Sequence, residues 1–228
     1  MTTMNEVEVS CAVCGLLGRK AVLTSTSSFG SPDLDLRPQG PARWALEFEV
    51  QRCDGCGYCA GSIGQAPLGA RETVESPVYR EVLERSKLPR LARSLFCAAL
   101  VSEGAGEPEA TGWRFLQAAW ACDDKNARAG ARSCRERSAE MFARALETGE
   151  AEAPEAGVLT LSADLWRRAG RFDQAIVAAA EAEQLLGQEV HDDEEAGGAA
   201  AIATYIRGLA EDGDDELHNV AEVFADEG

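Results

Sequence analysis

Between Ala42 and Arg52 apolar and polar residues alternate, with Trp44, Leu46, Phe48 and Val50 on one face and Glu47, Glu49 and Gln51 on the other. A period of two predicts a half-buried β-strand running into the cysteines at 53 and 56. Lys20–Thr26 can supply a partner strand, and the turn-rich segment Phe29-Gly-Ser-Pro-Asp-Leu-Asp-Leu-Arg-Pro38 connects the two. From Pro77 the pattern becomes helical. Val78, Val82 and Leu83 open an apolar face, Leu91–Val101 continues it, and Pro89 divides the region into two helices. After a loop at Glu103–Pro108, Trp113–Trp120 reads as an amphipathic helix with bulky anchors. Ala129–Leu146, with Met141, Phe142 and Ala145 among its apolar positions, reads as another.

A repeat stands out in Leu159–Leu186. Leu159, Ala163 and Trp166 mark a first helix, Arg168–Phe172 a turn around Gly170, and Ala175, Ala179 and Ala182 a second helix. Small residues let two such helices pack closely. The unit resembles a tetratricopeptide repeat (TPR), a helix–turn–helix of about 34 residues, in a register from about Ala156 to Glu189. Trp113–Leu146 is similar to a degenerate preceding copy with a longer turn at Asp123–Asn126, and Ala199–Leu209 with Glu216–Phe224 form a short third pair. The fold class expected is α+β and mostly α. Residues 1–70 form a small zinc-ribbon β domain with rubredoxin-type knuckles, and residues 71–228 a TPR-like antiparallel helical array.

The cysteines carry the clearest chemistry. Cys11-Ala-Val-Cys14-Gly15 and Cys53-Asp-Gly-Cys56-Gly57 are two matched Cys-x-x-Cys turns. Each ends in a glycine that takes up a left-handed backbone at low cost and turns amides toward the sulfurs. Four thiolates from two such turns make the closed tetrahedral set of a structural zinc site. Iron fits the same four sulfurs, and zinc is favoured by its frequency in such sites. Disulfides are the alternative. The polar start Met1-Thr-Thr-Met-Asn-Glu, with no apolar run after a basic segment, points to a cytoplasmic chain with reduced thiols. Cys59 is a spare small residue beside the site or a replacement ligand. Cys97, Cys122 and Cys134 read as core positions.

Charge narrows the partners. Up to residue 70, five Lys/Arg stand against seven Asp/Glu, and beyond it seventeen stand against thirty-two. Nucleic-acid affinity comes mostly from cations on phosphates, and no basic stripe is visible, so nucleic acid is a disfavoured partner. No run approaches the length of a membrane span. The acidic stretches Glu189–Glu195 and Glu211–Glu216 read as solvated loops and caps, with His191 and His218 in or beside them. Asp33, Asp35 and Arg37 alternate in the connector. They are a candidate polar site for a peptide amine or second cation, with turn chemistry and a local Asp–Arg pair as the plainer alternative.

The order Cys-x-x-Cys-Gly, Asp33-Leu-Asp35, Val50-Gln-Arg-Cys-Asp-Gly-Cys-Gly-Tyr58 and then helical repeats resembles an uncharacterised bacterial family with an N-terminal four-cysteine zinc ribbon fused to TPR-like helices. The resemblance implies zinc ligation by Cys11, Cys14, Cys53 and Cys56 and a cytoplasmic bacterial setting. It implies no activity. The leading functional expectation is a non-catalytic interaction scaffold whose helical groove binds a protein or peptide, with Trp113, Gln117 and Arg167 near its exposed positions. A groove filled by the chain's own ribbon or tail would remove that surface. The alternatives are a nucleic-acid-associated regulator acting through the ribbon and an enzyme with a carboxylate-based site.

Overall fold

The computed structural model describes residues 2–189 and 194–225. Its N-terminal part is two small β hairpins, each closed by one Cys-x-x-Cys turn. Strands β1 (Thr3–Ser10) and β2 (Leu17–Ser25) pair antiparallel, with Ser10 opposite Leu17, and the first cysteine turn joins them. Strands β3 (Gln51–Arg52) and β4 (Cys59–Ala60) flank the second turn in the same manner. Val7 and Val9 alternate with Glu6 and Glu8 along β1, a period-two signal too short and too polar to stand out in the sequence.

The strand expected over 42–52 is a correction. Pro41–Trp44 is a helical turn, α1, which continues into a 3₁₀ turn at Ala45–Phe48; only Gln51 and Arg52 are extended. The reason is local and topological. Gly40 turns the chain with φ 69°, Pro41 is already set for a helical start, and β2 has β1 as its partner. Helical spacing buries Ala45 and Leu46 and leaves Trp44 72% exposed.

The rest is helical, so the fold is α+β and mostly α. Helices α2 (Ala70–Glu75) and α3 (Pro77–Arg85) lead into α4 (Arg90–Ala105), α5 (Pro108–Asp123), α6 (Arg128–Thr148), α7 (Glu155–Ala169), α8 (Phe172–Glu189) and α9 (Glu194–Glu211). Each of α4 to α8 packs on the helix that follows it, and short turns join α4 through α8 into a row of antiparallel hairpins. Gly170, at φ 78°, closes the α7–α8 turn where the sequence places it. Ala163, Ala175, Ala179 and Ala182 are buried, the small contacts that close packing requires. The third pair is shorter than expected: α10 is one turn, Val220–Val223, and Glu216–His218 precedes it as loop.

The core does not divide at residue 70. Cys11, Cys53, Tyr58 and Ile63 from the ribbon share one apolar cluster with Val74, Tyr79 and Leu83 of α2 and α3 and with Cys97 and Ala98 of α4. Cys97, Cys122 and Cys134 are all buried core residues. None of the helices among the described residues is long and apolar enough to cross a membrane.

Candidate metal centre and the buried connector

The two cysteine turns repeat one hydrogen-bond pattern. In the first, Cys11 N–H donates to Leu16 O at 2.9 Å and Gly15 N–H to Cys11 O at 2.7 Å; in the second, Cys53 N–H donates to Tyr58 O at 2.8 Å and Gly57 N–H to Cys53 O at 3.0 Å. Gly15 and Gly57 have φ 76° and 78°, a conformation costly for any residue with a Cβ. The helices hold these turns in place. Arg71 of α2 donates to Val13 O, and Tyr79 of α3 donates to Gly57 O at 2.9 Å while accepting from Cys59 N–H at 3.0 Å. Lys20 Nζ reaches Asp54 Oδ2 at 2.9 Å, tying β2 to the second turn and holding the Asp54 carboxyl below its usual range.

The four sulfurs of Cys11, Cys14, Cys53 and Cys56 lie within 4.8 Å of one another and could hold one metal ion. Cys11 Sγ is 3.7 Å from Cys56 Sγ, Cys14 Sγ is 3.5 Å from Cys53 Sγ, and none of the four is in a disulfide. Zinc–thiolate bonds of about 2.3 Å give a tetrahedron with edges of about 3.8 Å, so the donor set fits a single ion of that kind. Its electrostatics suit a cation as well. Burial raises the Cys53 thiol, but the amides of Cys56 and Gly55 and the neighbouring thiols outweigh it and bring it to about 7. Burial and the other three sulfurs push Cys56 up to about 12, against the Tyr58 amide. Thiols crowded in this way share protons because like charges accumulate, and a divalent ion removes the conflict. Cys59 stands apart from the four: it is buried, its thiol donates to Gly57 O at 3.3 Å, and it packs with Cys97 in the shared core.

The connector between β2 and α1 is not an exposed polar site. Asp33, Asp35 and Arg37 are all buried, and the loop is pinned against the helices. Asp33 N–H donates to Arg37 O at 3.0 Å and Leu36 N–H to Asp33 O at 2.9 Å, a tight turn that puts Leu36 at φ 64°. Asp35 Oδ2 accepts from Arg135 Nη2 of α6 at 2.9 Å and lies 3.6 Å from Arg168 Nη1 of α7. Asp123, at the end of α5, takes the other arginine contacts, at 2.6 Å from Arg135 and 3.3 Å from Arg168. Arg37 Nη2 donates to both oxygens of Asp124 at 3.0 and 2.8 Å, and Asp33 accepts from Arg43 Nη1 at 2.7 Å. The local Asp–Arg pair expected within the connector is therefore replaced by pairs to the helices and to Arg43. Burial would raise the Asp35 carboxyl, but Arg135 and Arg168 outweigh it and hold it low; at Asp33 burial wins over Arg43 and the carboxyl is raised.

The C-terminal segment covers the same face. Leu34 N–H donates to His218 O at 3.0 Å and Val220 N–H to Pro32 O at 2.9 Å, while Leu34 packs among Ala163, Ala179 and Ile206. His218 sits between Glu222 Oε2 at 2.6 Å and Asp214 Oδ2 at 3.1 Å. The acidic stretch Glu211–Glu216 is thus partly built into the fold, with Asp215 bonded to Arg128 and Arg132. His191 lies outside the described residues, as does most of Glu189–Glu195.

These facts correct one of the expected partner positions, Arg167. Arg167 is 0% exposed: its guanidinium donates to Asp164 Oδ1, one turn earlier, and to the carbonyls of Asp214 and Glu216 at 2.8 and 3.0 Å. Trp113 is half-buried, its ring edge-to-face with Phe142 at 5.2 Å. Gln117 is partly exposed and accepts from Arg114 at 2.9 Å. The helix face on which a groove was expected is filled near Arg167 by the chain's own residues 32–37 and 214–220. No family model, curated protein or solved structure matches the chain, so the likeness to a bacterial ribbon–TPR family rests on its motifs alone.

Proposed function

We propose that the protein is a cytoplasmic, non-catalytic protein-interaction module, stabilised by one zinc ion on Cys11, Cys14, Cys53 and Cys56. The observation that carries this reading is the closed four-sulfur cluster, two of whose cysteines, Cys11 and Cys53, are buried in a core shared with α2–α4. Four thiolates leave no open position for a substrate, which supports a structural ion rather than a catalytic one. Many of the basic side chains are occupied in ion pairs, among them Arg37, Arg128, Arg132, Arg135, Arg167 and Arg168. This favours a protein partner over a nucleic acid.

With the face around Arg167 self-occupied, the partner surface moves to the outside of the connector. Phe29, Leu36 and Trp44 are the large exposed apolar residues of this region. A bulky residue with positive φ is costly, and Leu36 adopts such a φ while its side chain stands exposed. The reading has two tests. Elemental analysis is expected to return about one zinc per chain; no metal, or two ions, overturns the ligand set. In paired pull-downs, Trp44→Ala and Leu36→Asn are expected to lose a partner that the wild type and a Val177→Ala control retain. Equal recovery by all four removes this surface.

A further inference from the structure

The segment 212–220, between α9 and α10, crosses the first turns of α6 and the last turn of α7 as a strap held by arginines. Arg128 and Arg132 of α6 both donate to the Asp215 carboxylate, one to each oxygen. Arg167 of α7 donates from Nη1 to the carbonyls of Asp214 and Glu216, at 2.8 and 3.0 Å. Glu216 N–H donates to Asp214 Oδ1 at 2.7 Å, a turn that presents both carbonyls to one guanidinium. Burial would raise the Asp215 carboxyl, but Arg128 and Arg132 outweigh it and hold it below its usual range. Three arginines thus read one short acidic segment, through a side-chain carboxylate and two main-chain oxygens.

The helices support two of these arginines independently of the strap. Arg167 also bonds Asp164, one turn back on its own helix, and Arg132 lies against the α7–α8 turn, its Cζ 3.6 Å from where a Cβ on Gly170 would stand. The strap itself is lightly held. None of residues 211–225 is buried, and its apolar support comes from Val220 and Val223, half-buried at the edge of the Leu34 cluster. The Arg128 and Arg132 side chains are 62% and 43% exposed, and ion pairs with such exposed members add little net stability. When the strap lifts, Arg128 and Arg132 lose their carboxylate and Arg167 loses two acceptors, leaving a groove rich in donors. Charge selects what can replace it. A long polyanion meets repulsion from the rest of a chain of net charge −17, whereas a short acidic peptide reproduces the strap's own contacts. We propose that the groove between the start of α6 and the end of α7 is a docking site for an acidic peptide segment of a protein partner, with residues 212–220 occupying it as an autoinhibitory strap.

The probe is a fluorescein-labelled peptide with the strap's own sequence, Gly213-Asp-Asp-Glu-Leu-His-Asn-Val220, read by anisotropy against the full chain. A tethered strap competes at an effective concentration in the millimolar range, so the wild type should bind the peptide weakly. Asp215→Ala in the full chain removes the strap's anchor and keeps the groove arginines. It is expected to bind the peptide about tenfold more tightly or better. Adding Arg132→Gln should take back about tenfold, and so should a peptide with alanine at the Asp215 position, since each gives up a charge-assisted hydrogen bond. On the unsubstituted chain, excess peptide should speed hydrogen exchange at the Leu34 and Val220 amides, which are bonded to His218 O and Pro32 O while the strap is down. The site is overturned if Asp215→Ala, folded by circular dichroism, binds no better than the wild type, if the alanine peptide binds as well as the parent, or if exchange at those two amides does not respond. Displacement of the peptide by an equal concentration of mixed-sequence single-stranded DNA would overturn the peptide class in favour of a phosphate ligand. None of these readouts involves Phe29, Leu36 or Trp44, so failure here leaves the connector surface standing.

Discussion

Replacing Asp35 tests whether buried charge fastens the connector to the helices. The carboxylate is 1% exposed and faces Arg135, also 1% exposed, so neither group is solvated by water when its partner is lost. Breaking a buried pair by removing one member costs about 3–5 kcal/mol. Asp123 remains 2.6 Å from Arg135 and is partly solvated, which places Asp35→Ala near the low end, about 3 kcal/mol. Arg135→Met should cost a similar amount, because it leaves Arg168, at 3.6 Å, to balance the Asp35 charge, with the Arg37 amide on the other oxygen at 3.4 Å. Each single variant leaves the cluster with an odd charge; Asp35→Ala with Arg135→Met restores the balance. The pair is therefore expected to be less damaging than the sum of its members by about 1–3 kcal/mol. Urea unfolding followed by tryptophan fluorescence measures all three, read by linear extrapolation. The pH dependence gives a second check. Arginine contacts hold the Asp35 carboxyl below its usual value. Its contribution is then whole above about pH 4, the unfolded value, and is lost as pH falls through the folded one. The gap between wild type and Asp35→Asn should be widest at neutral pH and close in acid. Single variants that each cost under about 1 kcal/mol and simply add would show that the ion cluster does not hold the connector.

Removing the metal ligand should affect more than the ribbon. Cys53→Ser, or chelation, withdraws binding energy on the order of 10 kcal/mol. Hydrogen exchange is expected to rise in α2, α3 and the ribbon-facing part of α4, which share its core, while α7 and α8 stay protected. Exchange confined to residues before 70 would count against the shared core. The two knuckle glycines give a graded comparison. Gly15→Ala meets nothing within 4 Å and should cost only the left-handed strain, about 1–2 kcal/mol. Gly57→Ala adds a Cβ 2.5 Å from Leu83 Cδ2 and should cost visibly more in the same denaturation assay. Leu36→Gly removes a strained exposed side chain, so the melting temperature should hold or rise; a clear fall would mean that the side chain packs in the fold.

Local signals in the chain carried the parts of this fold that are made locally. A Cys-x-x-Cys-Gly turn needs only its own residues to close, so both knuckles and their four sulfurs were legible. The same holds for α7 and α8, whose spacing of small residues around Gly170 already contains their packing. The region 42–52 shows the converse. Alternation is compatible with a strand only where a neighbour strand is free, and β2 was taken by Thr3–Ser10, a stretch that reads as polar because both faces of its hairpin are largely in solvent. The connector was furthest from reach. Asp33, Asp35 and Arg37 look like turn chemistry because turn and buried ion cluster use the same residue types. What separates them is Arg135 and Arg168, one hundred and more positions away, whose helix-interior settings resemble ordinary solvated arginines.

That long-range pairing changes where function is sought on this molecule. A chain with seventeen more acidic than basic residues has placed two of its scarce arginines, buried Arg135 and half-buried Arg168, around one aspartate of a loop. Desolvating them is costly, and the loop they hold displays Leu36 to solvent. The metal knuckles stand on either side of that loop in the sequence. Loss of the ion and loss of the Asp35 cluster should therefore disturb the same segment from opposite ends. If so, Cys53→Ser and Asp35→Ala, measured separately, will both raise hydrogen exchange in the connector, residues 29–40, and only the first will release metal. Metal loss from Asp35→Ala as well would mean that the ribbon depends on the connector, and the order of support would have to be reversed.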